Sequence, residues 1–443
     1  MRRLTEWLFQ KPRITQGDVV AALDVGSSKI ACFIARADHD STPRVVGIGH
    51  QVSEGIRNGS IVNMEALQHA ITGAVATAEQ MAGETIERVT VNIAGSQLLS
   101  NTVSIELPLN GREATDADIQ RILSQAETMA PEDAQGQPLE LVHTLPVHYS
   151  LDHQKGIHDP IGMTGSVLQS QLHLVSAAFG PVRTLTTAIA RCHLEVETMV
   201  AAPYASGLAC LVEDEMDLGS LVIDMGAGTT SFAVFIEGHL VFTDGIAVGG
   251  AHVTNDIARG LTTSLPNAER LKTLFGHAIG SMADERDMID VPLIGEEEPE
   301  NANHVPKSHL NRIIQPRIEE ILELVKNRMD KSGFNEAAGR RVVLTGGASQ
   351  LPGVRELAQR MLDKQVRLGR PLRVTRPSST RGKSQASAFS GLAEATSGPS
   401  FATTAGLLAV AMQPSLAAPG NTHEYSAHQN ITSRLGQWFK QNM

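Results

Sequence analysis

The chain of 443 residues has little cysteine: Cys32, Cys192 and Cys210 stand alone in apolar surroundings. That spacing excludes a disulfide framework and reads as buried free thiols in a reducing compartment. Long hydrophobic runs are lacking, and no apolar stretch reaches the length of a membrane span. Basic residues are outnumbered, with 37 Lys and Arg against 48 Asp and Glu, a net charge of -11. An acidic surface argues against a general nucleic-acid binder, because phosphate backbones demand a basic one. There is no HExxH zinc motif and no complete GxSxG elbow. The sixteen histidines are scattered. His143, His148 and His153 lack metal-ligand spacing and read as polar surface and loop residues. The first residues, MRRLTEWLFQKP, lack a secretory cleavage signature, so the body of the protein is expected in the cytoplasm.

What is present is a repeated turn. VVAALDVGSSK (Val19–Lys29) and LVIDMGAGTT (Leu221–Thr230) lie about 200 residues apart. Each is an aliphatic strand, an Asp, a tight Gly/Ser/Thr turn and a second strand. A third turn, VVLTGGASQLPG (Val342–Gly353), carries Gly346, Gly347 and Ala348. Polyphosphate needs many backbone N–H donors brought close. Gly26, Gly226 and Gly228 remove the Cβ that would block this approach. Ser27, Ser28, Thr229 and Thr230 add short hydroxyl donors, and Lys29 adds a point charge. Asp24 and Asp224, where strand meets turn, suit Mg²⁺ held largely through waters. The three turns together predict a nucleotide in a cleft between two similar domains. Rival phosphate motifs fail. Gly382-Lys383-Ser384 has Pro377 where a P-loop begins with Gly. The turn at Gly226 lacks the last Gly of the dinucleotide fingerprint and leads into a strand, not a helix.

The length and the 42% hydrophobic content predict a large core in two or more domains. Residues 1–17 form an extension in which Leu4, Trp7 and Leu8 share a helical face beside Arg2 and Arg3, with Pro12 ending it. It reads either as a frayed terminus or as a secondary membrane contact. Strands and helices follow in an α/β order, with a helix over Met64–Ala82 and another opened by Thr115, whose partner Asp118 has capping-box spacing. The strand triplet of the first half restarts at Gly219, whereas roughly 86–170 has no counterpart in the second half. An acidic, loop-like stretch covers 283–303, and a long amphipathic helix Leu310–Lys331. The expected division is a first lobe of 18–85, 171–212 and 361–411; an inserted module of 86–170; a second lobe of 213–249 and 336–360; and a second-lobe insertion of 250–335.

A Pro/Gly/Asn/His-rich linker, 412–427, leads to a terminal segment, 428–443. At 100° per residue, Ile431, Leu435, Trp438 and Phe439 fall within about a 100° arc, with Arg434 and Lys440 outside it. A helix this short lies in the membrane interface, apolar face toward the acyl chains and cations toward anionic lipid. Docking on the protein's own core is the alternative, and the flexible linker argues against it.

Asp-x-Gly in a strand turn, a second such turn and then T-G-G-A is similar to the actin and heat-shock-chaperone ATPase superfamily. Its two lobes are duplicated ribonuclease-H-like α/β domains, and its members hold ATP and Mg²⁺. ALDVGSSKIACFIA, GIRNGSIVN, LHLVSAAFGPVRTLTTAIARCHL, LVIDMGAGTT and VVLTGGASQLPGV resemble landmarks of the FtsA family of bacterial division actins. So do the terminal amphipathic segment and the inserted module, which would be strand–helix–strand–strand. The resemblance spans essentially the whole chain. It implies that Glu269 of AERLK accepts from ribose hydroxyls and that Lys272 lies against adenine. It implies a protein that polymerises on the cytoplasmic side of the inner membrane at the septum. There it would anchor the FtsZ ring and recruit later division proteins. The FtsZ C-terminal tail would dock on 250–335, with Lys307 and Arg312 as contacts to its acidic part. Related bacterial actins place a Glu beyond a strand end to orient the attacking water. The stretch compared with it here, Ser176–Arg183, has no acid, so hydrolysis is expected to be slow. A small-molecule kinase and a pilus-assembly adaptor of related fold are the alternatives.

Overall fold

The structure, a computed structural model, describes residues 17–37, 44–129, 136, 139–295, 303–371, 396–413 and 416. The first half opens on β1 (Val19–Val25), β2 (Lys29–Arg36) and β3 (Arg44–Val52), each antiparallel to the next. A two-residue hairpin, β4 (Ile56–Arg57) with β5 (Ser60–Ile61), leads into α1 (Met64–Ala82). Asn63 caps α1 by accepting from the Ala66 amide at 3.1 Å, and Gly83, at φ 72°, ends it. Leu67, Ala70, Ile71, Ala74, Val75 and Ala78 are buried. Their three- and four-residue spacing gives the helix one apolar stripe, laid on β2 and β3. β6 (Arg88–Ile93) then pairs parallel with β1.

The inserted module follows: β7 (Leu98–Pro108), α2 (Asp116–Thr128), β8 (Leu139–Leu151), β9 (Gln154–Ile157) and β10 (Val167–Ala178). Its sheet runs β7-β10-β8-β9. The capping box of α2 forms as expected. The Asp118 carboxylate accepts from the Thr115 amide at 2.9 Å and the Thr115 hydroxyl at 2.6 Å. Hydrogen bonds from Arg112 hold that carboxyl well below the usual range. Ile119, Ile122 and Leu123 of α2 and Leu168 and Leu172 of β10 belong to a core the module keeps to itself.

The chain returns through α3 (Phe179–Ala190), β11 (Glu195–Ala201) and α4 (Ala202–Cys210). After α5 (Glu213–Asp217) the pattern starts again with β12 (Ser220–Met225), β13 (Thr230–Ile236) and β14 (His239–Ile246). Next come α6 (Gly250–Gly260), α7 (Leu265–Phe275), β15 (Met288–Val291), β16 (Asn303–Pro306) and α8 (Lys307–Ser332). β17 (Arg341–Thr345), α9 (Val354–Leu362), β18 (Gln365–Leu368) and α10 (Ala402–Met412) complete the described chain.

Two five-stranded sheets repeat one order, β3-β2-β1-β6-β11 and β14-β13-β12-β17-β18. In both, three antiparallel strands are followed by two parallel ones. This is the duplicated ribonuclease-H-like, actin-like fold.

Several boundaries differ from the sequence reading. β6 belongs to the first sheet, and β10 runs on to Ala178, so the module extends over 95–178. β18 pairs with β17 and lies in the second sheet, past the expected return to the first lobe at 361. The acidic stretch contains a strand, β15, paired with β16; four-residue strands give too few alternations to be read from sequence. The second-lobe insertion has no core of its own. Ile314, Ile318 and Leu322 of α8 share one with Leu221 and Ile223 of β12. Cys32 and Cys210 are buried free thiols and Cys192 is half-buried; burial pushes the Cys32 thiol up to about 12. The extension 1–16, the linker from 417, and Ile431, Arg434, Leu435, Trp438, Phe439 and Lys440 lie outside the described residues.

Candidate nucleotide site

The repeated order brings the turns together. In both sheets the central strand carries an Asp one residue before its end, and both turns close with the same bond: the Gly26 amide to the Lys29 carbonyl at 3.1 Å, and the Gly226 amide to the Thr229 carbonyl at 2.9 Å. The two turns meet face to face. A Cβ on Gly228 would fall 2.5 Å from the Ser27 hydroxyl oxygen. The third turn leaves β17, parallel to β12. Gly346 has φ 83°, and a Cβ there would come 2.3 Å from an Asp224 carboxylate oxygen, so only glycine fits.

Between the lobes lies a cavity of about 580 Å³. Asp24, Gly26, Ser27, Ser28 and Lys29 line it from the first lobe; Asp224, Gly226, Gly228, Thr229, Gly346, Gly347 and Ala348 line it from the second; Glu269 and Lys272 lie on α7. Of the predicted nucleotide-binding residues, Thr230 alone is misplaced. It is fully buried in β13, and its hydroxyl donates to the Val248 carbonyl at 2.8 Å. A strand residue just after the turn points into the sheet, which spacing alone could not tell.

Asp24 and Asp224 are both buried. Asn92 donates to one Asp24 oxygen at 3.0 Å, and Thr404 to the other at 2.9 Å. Asp224 accepts from Ser206 and, at 2.9 Å, from Thr403. Burial pushes the Asp24 carboxyl up to about 6 against the pull of Lys29, and burial raises Asp224 as well. Burial brings the Lys29 ammonium down to about 8, opposed by the two aspartates. Lys29 lies 3.2 Å from the centre of the Phe401 ring. At the other end, Lys272 reaches Glu269 at 2.7 Å, the Thr254 hydroxyl at 2.8 Å and the Gly250 carbonyl at 3.2 Å.

Sequence reasoning missed Asn92, Ser206, Phe401, Thr403 and Thr404. Asn92 had a readable signal: it ends β6, which holds in the first sheet the place that β17, with the third turn, holds in the second. The others come from helices whose sequence says nothing of the cleft. Two further readings are corrected. Ser176–Arg183 does not line the cavity; the residue that does is Ala202, the first of α4, directly after the end of β11. His143 is buried in β8 and accepts from the Ala201 amide at 2.9 Å, so it is no surface residue; His148 is half-buried and His153 exposed. Among the described residues no cluster of His, Cys, Asp or Glu forms a metal site.

Comparison with known proteins agrees with this architecture. The family model "Cell division protein FtsA" matches residues 221–406, and that of the SHS2 domain inserted in FtsA matches 95–176, the observed module. The chain is 42% identical over 439 residues to the cell division protein FtsA of Rhizobium meliloti (strain 1021), covering 96% of this chain and 95% of that one. The chain belongs to the FtsA family. A second FtsA, from Escherichia coli (strain K12), is 28% identical over 435 residues, 97% of each chain. Among solved structures, one of a PilM–PilN type IV pilus biogenesis complex matches with TM-score 0.60 at 16% identity, covering 89% of this chain and 99% of that one. At that identity the likeness is one of fold.

Membership makes this an actin-like, ATP-binding cell-division protein that interacts with FtsZ and other division components. FtsA proteins bind ATP with Mg²⁺, self-assemble, and associate peripherally with the inner membrane at the septum. No helix among the described residues is long and apolar enough to cross a membrane.

Proposed function

We propose that the interlobe cavity binds Mg–ATP, and that the bound protein polymerises on the membrane and holds FtsZ there through its terminal segment. The observation that carries the nucleotide reading is two buried carboxylates and a half-buried lysine where three glycine turns meet. The donor set fits. Backbone amides and hydroxyls at Gly26–Ser28 and Gly226–Thr229, with Lys29, would hold the phosphates. Asp24 and Asp224 would hold Mg²⁺ through its waters. The metal supplies charge neutralisation on the phosphates. Glu269 would accept from ribose hydroxyls, and the stem of Lys272, its ammonium tied to Glu269, would lie against adenine.

Hydrolysis in this site should be slow. Asp24 accepts hydrogen bonds at both carboxylate oxygens, Asp224 accepts two, and Glu269 is paired with Lys272. Directly after the end of β11, Ala202 offers no group to orient water. Turnover below about 1 s⁻¹ without partners is expected, the low end of enzyme rates. Nucleotide then acts mainly on lobe closure and filament affinity.

The second-lobe insertion would take the FtsZ tail. Lys307 lies 3.4 Å from Asp284 and Arg312 2.5 Å from Glu285. An acidic peptide would therefore have to compete with these local acids. Exposed Leu274, Met282 and Met288 on the same insertion offer apolar contact. The inserted module would contact later division proteins and neighbouring subunits.

One interfacial helix binds weakly, and a filament presenting many raises avidity by as much as ~10²–10⁴. The test is co-sedimentation with vesicles containing anionic lipid, with ATP or ADP, of the full chain and of a chain lacking 428–443. The full chain is expected to pellet, more strongly with ATP. Equal pelleting of both chains refutes the anchor.

A further inference from the structure

The segment Pro399–Thr404, which leads into α10 and forms its first residues, touches all three turns or the acids beside them. The Pro399 carbonyl accepts from the Gly346 amide at 3.2 Å and the Thr345 hydroxyl at 3.3 Å. The Ser400 hydroxyl accepts from Gln350 at 2.7 Å. Phe401 lies under Lys29 of the first turn. Thr403 donates to Asp224 and Thr404 to Asp24, each at 2.9 Å. Two consecutive hydroxyls in the first turn of one helix thus hold the acids of opposite lobes. α10 itself packs on α4, β1, β2 and β6, on the first-lobe side. The Thr404 bond is therefore internal to a lobe, and the Thr403 bond crosses the cleft. The Ser206 and Thr403 hydroxyls, 3.0 Å apart, also join α4 to α10 at Asp224.

We infer that Thr403 and Thr404 are positioning residues: they set the spacing of Asp24 and Asp224, and Pro399–Thr404 is a strap that fixes the three phosphate-binding turns as one unit. The inference rests on reading the cleft as a Mg–ATP site. A metal held through waters by two carboxylates depends on their separation, and a rigid helical turn carrying both donors is a ruler for it. The helix N-terminus adds positive potential beside two buried anions. Neither threonine needs to touch the nucleotide. The strap should therefore be felt in how far Mg²⁺ strengthens ATP binding, more than in ATP binding as such.

The test uses the full chain with Thr403→Val and Thr404→Val, which keep shape and lose the hydroxyl, and Thr→Ser at each position, which keeps it. ATP affinity is measured with millimolar Mg²⁺ and with EDTA. The gain from Mg²⁺ is expected to fall about tenfold in each Val variant, the scale of one hydrogen bond to a charged group. Affinity in EDTA should fall by clearly less, and the Ser variants should recover the gain. In ligand-free protein, hydrogen exchange should quicken at the Gly346 amide in Thr403→Val. Val variants with the wild-type Mg²⁺ gain, or with equal losses in Mg²⁺ and EDTA, overturn the strap. A wild-type chain that binds no ATP in either condition overturns the nucleotide reading instead.

Discussion

The two lobes use the same turn and support it differently. Asp24 and Asp224 stand next to last in the central strands of sheets with the same order, and both turns close with the same amide-to-carbonyl bond. Yet the first aspartate is held by Asn92 at the end of a neighbouring strand and by Thr404, while the second is held by Ser206 and Thr403, both from helices. Only the first turn carries a lysine; Thr229 stands where the second would have one. The duplicated sheet thus supplies two equal acids and leaves the cation and the buttressing to local invention. A cleft built this way should be symmetric toward metal and asymmetric toward phosphate.

Replacing the acids tests the symmetric half and carries the largest effect. Asp24→Ala and Asp224→Ala should each weaken Mg–ATP binding by about 100-fold, the upper range for groups acting on a metal through its shell. The two losses should agree within about threefold. Titration calorimetry with Mg–ATP decides it: a tenfold difference between them breaks the symmetry. Lys29→Met tests the asymmetric half. It should cost about tenfold, the scale of one charge-assisted hydrogen bond, with or without Mg²⁺. A loss confined to the Mg²⁺ condition would mean that Lys29 serves the acids and not the phosphates.

Much of this comparison was legible in the sequence because the turns are local. Asp-x-Gly with short hydroxyls between two aliphatic strands needs no tertiary knowledge, and every predicted turn residue but Thr230 lines the cavity. The inserted module was visible as a stretch without counterpart, though its edges were not: Arg88–Ile93 and Gln171–Ala178 are strands like any other, and only pairing assigns them to a sheet. What stayed hidden came from distance. Thr404 lies 380 residues from Asp24, and nothing in ATTAGLLAVAM marks its first turn as part of a cleft.

A smaller effect follows from the raised carboxyl. With Asp24 near 6, lowering the pH from about 7.5 to 5.5 leaves about a quarter of it ionised, so Mg–ATP affinity should fall about fourfold from this group. The same shift acts on the ligand-free fold with a definite sign. An acid whose carboxyl titrates higher in the fold than in the open chain is destabilising when ionised. That cost is complete above about 6, shrinks as the pH falls and vanishes below the ordinary value of 3.8. The upper limit is about 3 kcal/mol. The pull of half-buried Lys29 on Asp24 is already part of that value, so Asp24→Asn should relieve this net cost and no more. The gain at pH 7.5 should be at most about 3 kcal/mol, read as a higher denaturant midpoint without nucleotide, and should be about half as large at pH 5. Asp224→Asn keeps the lysine beside Asp24, so its gain should be the larger of the two. The reverse ranking would place the cation's main partner on the second lobe and redraw the asymmetry from which this comparison began.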